Sequence, residues 1–132
     1  MASPRICLGR PRMLLTLFAL LAVPVEASAD FCQSISGLRI VSQSGVFLGT
    51  ISSPFDSDSV LNEFGDYGSQ FSDKSIWNEF GKYGGEFSDE SPFNEFANKP
   101  PLLIADGDVV GTLSVSKSHR NALNPYAVKS CQ

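Results

Sequence analysis

The chain has 132 residues, enough for one small domain, and a formal net charge of −4 at pH 7. The charge is uneven, because residues 56–95 contain ten Asp and Glu but only two Lys. Phosphate groups are bound by clustered Lys and Arg, so this balance argues against nucleic acid and anionic membranes as partners. We interpret the carboxylates as a source of solubility, in preference to a cation-binding surface.

The first 29 residues have the three parts of a secretory signal peptide. Three arginines precede an apolar run at residues 13–23, and Ala27-Ser28-Ala29 supplies the small residues of a cleavage site. The apolar run is shorter than the roughly 20 residues that span a bilayer. We therefore predict cleavage after Ala29 and a secreted domain, extracellular or periplasmic, of residues 30–132 with no membrane span.

Two cysteines, Cys32 and Cys131, remain after the predicted cleavage, because Cys7 lies in the signal peptide. In an oxidising compartment an even pair is more often bridged than free. We predict a Cys32–Cys131 disulfide, in preference to two separate thiols. It would tie the two ends of the secreted domain together.

Two segments have the pattern of a β-hairpin. In residues 38–52, two β-branched, apolar runs flank the polar turn Ser42-Gln43-Ser44-Gly45. Residues 102–116 have the same design around Asp106-Gly107, and both segments contain the tetrapeptide Gly-Thr-Ile/Leu-Ser. The sequence predicts a mainly β fold, in which two similar hairpins pair into one small antiparallel sheet of four strands.

A repeat of sixteen residues fills the segment between the hairpins, residues 53–99. Two and a half copies are present. Stacked repeats usually need about three copies to bury a continuous core of their own. We therefore expect the repeats to pack on the hairpin sheet, with their Phe and Trp side chains inward. The structural repeat residues are Asn62, Asn78 and Asn94, and Phe64, Phe80 and Phe96.

The local structure of each copy is less regular than a helix. Its aromatic residues are spaced by three and four, as in a helix, but interior glycines oppose a continuous one. We predict one short helical turn per copy, capped by Ser or Asp and ended by Gly65 or Gly81. The rest would be turns that bond to Asn, Ser and Asp side chains. Residues 117–132 are predicted to be a C-terminal tail.

The run NEFGDYGSQFSDKSIWNEFGKYGGEFSDESPFNEFANKPPLLI, residues 62–104, resembles a group of secreted bacterial proteins. Their repeats read approximately Asn-x-[Phe/Tyr]-Gly-x-Tyr-Gly-Ser-x-[Phe/Tyr]-Ser, and the resemblance covers residues 45–125. Many members carry Pro after the repeat Asn, whereas this chain carries Glu63, Glu79 and Glu95. The resemblance implies a bacterial secreted module and no particular activity.

No catalytic or cofactor motif is found in the sequence. His119 is the only histidine and lies in a polar loop, so we interpret it as an exposed loop residue, not a general base. One His and two distant Cys do not supply the four ligands of a zinc site. We predict no catalytic residue, no metal and no cofactor. A calcium site built from Asp56, Asp58, Asp73 and Asp89 with backbone carbonyls is the weaker alternative.

The function predicted from these patterns is that of a non-enzymatic secreted structural or interaction module with an acidic, aromatic repeat surface. Its candidate binding surface is Tyr67, Tyr83 and Trp77, whose flat rings suit a protein or glycan partner. Each Tyr is flanked by Gly and a charged residue, so we expect the two Tyr to be exposed and prefer a core position for Trp77. The alternative is a small secreted hydrolase, or a carbohydrate- or calcium-binding accessory domain, that uses the repeat acids and tyrosines.

Overall fold

The structure, a computed structural model, describes the backbone of residues 23–132 and side chains from residue 29 onward. Most of the predicted signal peptide therefore lies outside the described residues. Helix α1, Val23–Ile35, crosses the predicted cleavage position after Ala29. The chain divides into two units, residues 1–33 and 34–132, and the second contains the strands and the repeats. Within the described part of the chain, no helix is long and apolar enough to cross a membrane.

Cys32 and Cys131 are disulfide-bonded, which confirms the predicted bridge. We expect non-reducing peptide mapping of the secreted protein to recover one peptide pair that joins these two cysteines. Free thiols at both positions, in protein collected from an oxidising compartment, would contradict the bridge.

Five short strands form one mixed sheet. They are β1 Arg39–Val41, β2 Phe47–Thr50, β3 Leu102–Ala105, β4 Asp108–Leu113 and β5 Ala122–Leu123, in the order β2-β1-β3-β4-β5. Both predicted hairpins are present, and β1 pairs with β3 in antiparallel fashion to join them. The mainly β class is thus confirmed. The fifth strand was not predicted; it lies in the expected tail and pairs parallel to β4.

The tight turn of the second hairpin explains why its sequence signal is reliable. Asp106 and Gly107 both have positive φ, 53° and 85°, as a two-residue turn of this kind requires. Asp tolerates this region and Gly adopts it without cost, so the dipeptide sets the pairing next to the turn, Ala105 with Asp108 and Ile104 with Val109; the register shifts beyond Ile104.

Residues 53–97 form a continuous series of turns, in which the last residue of one turn is also the first residue of the next. We call this segment the turn series and these shared positions the end residues. From Asp56 to Ala97, the N–H of each end residue donates to the carbonyl of the previous end residue, usually three residues earlier. Ser69 and Gly85 are the exceptions, since each bonds to the carbonyl four residues earlier. Four turns of three residues and one of four therefore make up each sixteen-residue period.

The predicted helical turn in each copy is wrong, because residues 53–99 contain turns and bends but no helix. Ser and Asn side chains at the turn ends accept hydrogen bonds from the N–H two residues later. Examples are Trp77 N–H to Ser75 Oγ at 3.0 Å and Phe80 N–H to Asn78 Oδ1 at 3.1 Å. These local bonds use backbone N–H groups that a helix would need for its own hydrogen bonds. They therefore favour the start of a new turn over the continuation of a helix.

The turn series is attached to the sheet through backbone hydrogen bonds. Thr50, in the edge strand β2, forms a parallel bridge with Ser59. Its N–H donates to Asp58 O at 2.8 Å, and its carbonyl accepts from Val60 N–H at 2.9 Å. Farther along, Val115 N–H donates to Pro92 O at 2.8 Å. The series thus begins by extending the sheet at its β2 edge.

The core of residues 34–132 combines side chains from the sheet, the turn series and the C-terminal segment. Ile40, Leu48 and Leu113 of the sheet are fully buried, as are Val60 and Ile76 of the turn series. Val128 joins them from helix α2, Pro125–Lys129. Helix α2 begins at Asn124, whose side chain accepts a hydrogen bond from Tyr126 N–H at 2.8 Å.

Candidate functional site

Six phenylalanines of the turn series are almost fully exposed. They occupy two positions of each period, at alternating intervals of nine and seven residues. Soluble proteins often expose single apolar side chains, but exposed apolar side chains that share a groove are typical of interaction surfaces; Phe64 shares one with Phe71, and Phe80 shares one with Phe87. We call this set the phenylalanine array: Phe55 at 92%, Phe64 at 97%, Phe71 at 84%, Phe80 at 91%, Phe87 at 90% and Phe96 at 83% exposure.

The inward orientation predicted for Phe64, Phe80 and Phe96 is therefore wrong. Each is the second of the two middle residues of a turn, and other residues of the repeat occupy the interior. Ser59, Ser75 and Ser91 are fully buried, and the apolar contribution comes from the residue after each of them, Val60, Ile76 and Pro92. Small polar residues can fill the interior because their side chains bond to turn backbone.

The three repeat asparagines join successive turns through side-chain hydrogen bonds. Each accepts a hydrogen bond from the N–H of the exposed Phe two residues later, at 2.9–3.1 Å. Each also donates through Nδ2 to the carbonyl six residues earlier, at 3.0–3.1 Å. The residues are Asn62, Asn78 and Asn94. Every exposed Phe that follows one of them therefore stands on a turn fixed by two side-chain bonds.

Two grooves with equivalent linings lie one period apart along the turn series. The first, the Glu79 groove, has a volume of about 750 Å³, and the second, the Glu63 groove, about 700 Å³. Seven lining positions are related by a shift of sixteen residues. In the Glu79 groove they are Glu79, Phe80, Gly84, Gly85, Glu86, Phe87 and Phe93; in the Glu63 groove they are Glu63, Phe64, Gly68, Ser69, Gln70, Phe71 and Trp77.

A row of three aromatic rings runs beside the Glu79 groove. Trp77 and Phe93 have ring centroids 5.6 Å apart, and Phe93 and Tyr126 have centroids 5.2 Å apart in an edge-to-face arrangement. All three line the Glu79 groove. Trp77 is half-buried and its indole N–H donates to Val60 O at 2.6 Å, so the ring has a fixed position.

The two tyrosines predicted to be exposed lie elsewhere. Tyr83 is buried, with 9% of its surface exposed, which corrects that expectation. Tyr67 is half-buried and packs edge-on against Phe47 with centroids 5.0 Å apart. Neither lines the grooves described above. Of the predicted binding residues, only Trp77 belongs to the candidate site.

Helix α2 contributes one side chain to each groove, and we did not predict this. Tyr126 lines the Glu79 groove and Lys129 lines the Glu63 groove; residues three apart share one side of a helix. The Lys129 ammonium lies 4.7 Å from the centroid of the Trp77 ring. A helix start was readable in Asn124-Pro125, a capping residue followed by Pro at the first helical position. The position of this helix beside the grooves could not be read from the sequence.

The Glu79 groove has acidic residues and no basic ones. Glu79 and Glu86 are both exposed, and the groove lining contains no Lys, Arg or His. The nearby Lys82 instead pairs with Glu90, with an N–O distance of 2.9 Å. The hydrogen bond to Glu90 and the charge of its carboxylate raise the pKa of Lys82. Among the residues that the structure describes, this is the one ion pair between side chains.

The weak calcium candidates are Asp56, Asp58, Asp73 and Asp89. In the described part of the chain, no three His, Cys, Asp or Glu side chains come together as metal ligands. Asp89 has a structural partner instead, since its carboxylate accepts a hydrogen bond from Asn98 N–H at 2.7 Å. His119 Nε2 lies 3.1 Å from Ala97 O, beside the end of the turn series. The absence of a cofactor stays a prediction.

Comparisons of the chain with protein-family models, with curated proteins and with solved structures find no match. The resemblance to secreted bacterial repeat proteins accordingly stays a prediction.

Proposed function

We propose that this chain is a secreted, non-enzymatic interaction module whose turn series presents the phenylalanine array to a partner protein. The observation that carries the proposal is the array itself, six Phe side chains with 83–97% of their surface exposed. Fully burying one such side chain contributes about 1.5–3 kcal/mol. A partner that covered several of them would therefore gain substantial binding free energy.

Preorganisation supports this function. The sixteen-residue repeats act as a scaffold, in which backbone turns and the repeat asparagines hold each Phe backbone before any partner arrives. Binding then loses little backbone entropy, and side-chain ordering is the main entropic cost. The Phe ring has only two rotatable bonds, which keeps that cost low.

Charge supports a partner other than a second copy of the chain. Glu63, Glu79 and Glu95 each directly precede an exposed Phe and are themselves exposed. Two copies that placed their arrays face to face would bring these carboxylates together, and like charges repel. The carboxylates thus keep an apolar surface in solution while leaving it open to a different protein.

The test uses the secreted protein as immobilised bait for the extracellular fraction of its source. We expect proteins captured by the wild type to be lost with the triple variant Phe64→Ser, Phe80→Ser and Phe87→Ser. These side chains are exposed, so all proteins should unfold at similar urea concentrations. The control variant Val109→Thr and Val110→Thr removes exposed apolar surface outside the array and should capture the same proteins as the wild type.

Capture of the same proteins by the Phe variant would contradict the proposal. So would equal losses in the Phe and Val variants, because the apolar surface of the array would then have no special role.

A further inference from the structure

The Glu79 groove has the composition of a site for an organic cation. Five aromatic rings and two carboxylates line it, and no basic residue does. The faces of aromatic rings attract Arg and Lys side chains, and carboxylates add charge-assisted hydrogen bonds. The rings belong to Trp77, Phe80, Phe87, Phe93 and Tyr126.

The repeat supplies an internal example of this chemistry. In the Glu63 groove, one period earlier, the chain's own Lys129 lies 4.7 Å from the centroid of the Trp77 ring. In the Glu79 groove the ring at the position of Trp77 is Phe93, and helix α2 sends Tyr126 there instead of a cation. Trp77 lines both grooves, so Lys129 contacts a ring that the two grooves share, but Lys129 itself lines only the Glu63 groove.

The two grooves also differ in charge. Gln70 of the Glu63 groove is replaced by Glu86 in the Glu79 groove. The groove that has its own cation is therefore the less acidic one, and the groove without a cation has two carboxylates. Lys82, the closest lysine in sequence, is bound to Glu90.

We propose that the Glu79 groove binds an arginine side chain of a partner polypeptide, an inference that rests on the proposed function and specifies its partner. Arginine fits better than lysine, because its planar guanidinium stacks on aromatic rings and bonds to carboxylates through a fork of donors. Apolar residues beside that arginine would contact the exposed Phe side chains that flank the groove. The partner segment thus combines an arginine with neighbouring apolar residues.

The test is a titration of the secreted protein with a blocked heptapeptide of alternating leucine and arginine. Trp77 is the only tryptophan in the chain and lines the groove, so its fluorescence reports binding, and calorimetry gives the dissociation constant. The same peptide with citrulline in place of arginine keeps the shape and removes the charge. We expect the citrulline peptide to bind about tenfold more weakly or worse, since ring faces and carboxylates act on the charged group.

Two sets of variants separate the groove from the general acidity of the chain. Glu79→Gln with Glu86→Gln should weaken binding of the arginine peptide about tenfold. Asp73→Asn with Glu95→Gln removes the same charge at exposed positions outside both grooves and should change it less than about twofold. Phe80→Leu keeps the apolar contact without the ring and should weaken binding about two- to fivefold.

Three results would overturn the inference. They are equal affinity for the arginine and citrulline peptides, no binding of either peptide, and displacement of the arginine peptide by a neutral chitin oligosaccharide. If the bait experiment still showed capture that depends on the Phe array, the proposed function would stand and only the arginine site would fall.

Discussion

Replacing Gly84 by Ala is expected to destabilise the protein by about 3 kcal/mol or more, as severe overpacking against backbone does. A Cβ at this position would lie 2.2 Å from the carbonyl oxygen of Asn78 and 2.7 Å from that of Ile76. Both are backbone atoms, so no rotamer change relieves the clash. The same contact recurs one period earlier, where a Cβ at Gly68 would lie 2.0 Å from Asn62 O.

The matched control is Gly85→Ser, at the next residue. The preceding copy already carries Ser69 at that position, and a Cβ at Gly85 would lie 3.1 Å from its nearest atom, Gly81 O. We expect a cost below about 1 kcal/mol for this substitution. Urea unfolding of the two variants and the wild type makes the comparison. Equal, small losses would mean that the turns do not pack as closely in solution as the structure places them.

Close packing of Gly84 on Asn78 matters for function because both residues support the Glu79 groove. Gly84 lines the groove, and Asn78 fixes the N–H of the adjacent Phe80. Gly84→Ala, which would force these two backbone segments apart, should therefore weaken binding at the Glu79 groove as well as destabilise the protein. The substitutions of exposed Phe should lose binding alone.

The sequence predicts the hairpins well and the orientation of the repeats poorly, and the reason is the range of the interactions. Asp106-Gly107 fixes a turn through its own φ and ψ angles, without help from the rest of the chain. The side that each Phe faces depends instead on how successive turns are wound. Hydrophobicity alone assigned Phe64 and Phe80 to the core and so gave the wrong answer.

A signal for the correct winding is nevertheless present in the sequence. From Ser59 to Ala97, small or amide residues (Ser, Asn, Gly or Ala) recur at every third position of the turn series, with one extra residue per period. These are the turn ends of the structure, from Ser59 through Asn62 and Gly65 to Ala97. A period of three in small polar residues predicts a shared-end turn series, since the Ser and Asn side chains among them can accept from the N–H two residues later.

The grooves could not be predicted from local pattern, because helix α2 lies far from the repeats in sequence. Tyr126 meets Phe93 and Lys129 meets Trp77 across 33 and 52 positions of the chain. We predicted a C-terminal tail there; Asn124-Pro125 is a local signal for the start of a helix, but no local signal indicates which residues the helix contacts. The excess of Asp and Glu in residues 56–95 can be counted from the sequence. That two of these carboxylates lie beside aromatic rings is seen only in the structure.

Ile76→Ala is expected to destabilise the protein by about 2–5 kcal/mol, the range for truncation of a buried Ile. Ile76 follows a buried turn-end serine and has no exposed surface, so its removal leaves a cavity in the core. Phe80→Ala, four residues later in the same copy, should cost less than about 0.5 kcal/mol, because 91% of the Phe80 side chain is already in solvent. The measurement is urea unfolding of both variants.

Tyr83 gives this comparison a third point. Tyr83 is only 9% exposed, so Tyr83→Ala should destabilise the protein more than Phe80→Ala does. This is the reverse of the order that the sequence predicted for Phe and Tyr. Secretion yield should follow the same order, since a small domain has only about 5–15 kcal/mol of stability in total. A Phe80→Ala loss as large as that of Ile76→Ala would place the Phe rings in the core. The phenylalanine array would then not exist as a binding surface.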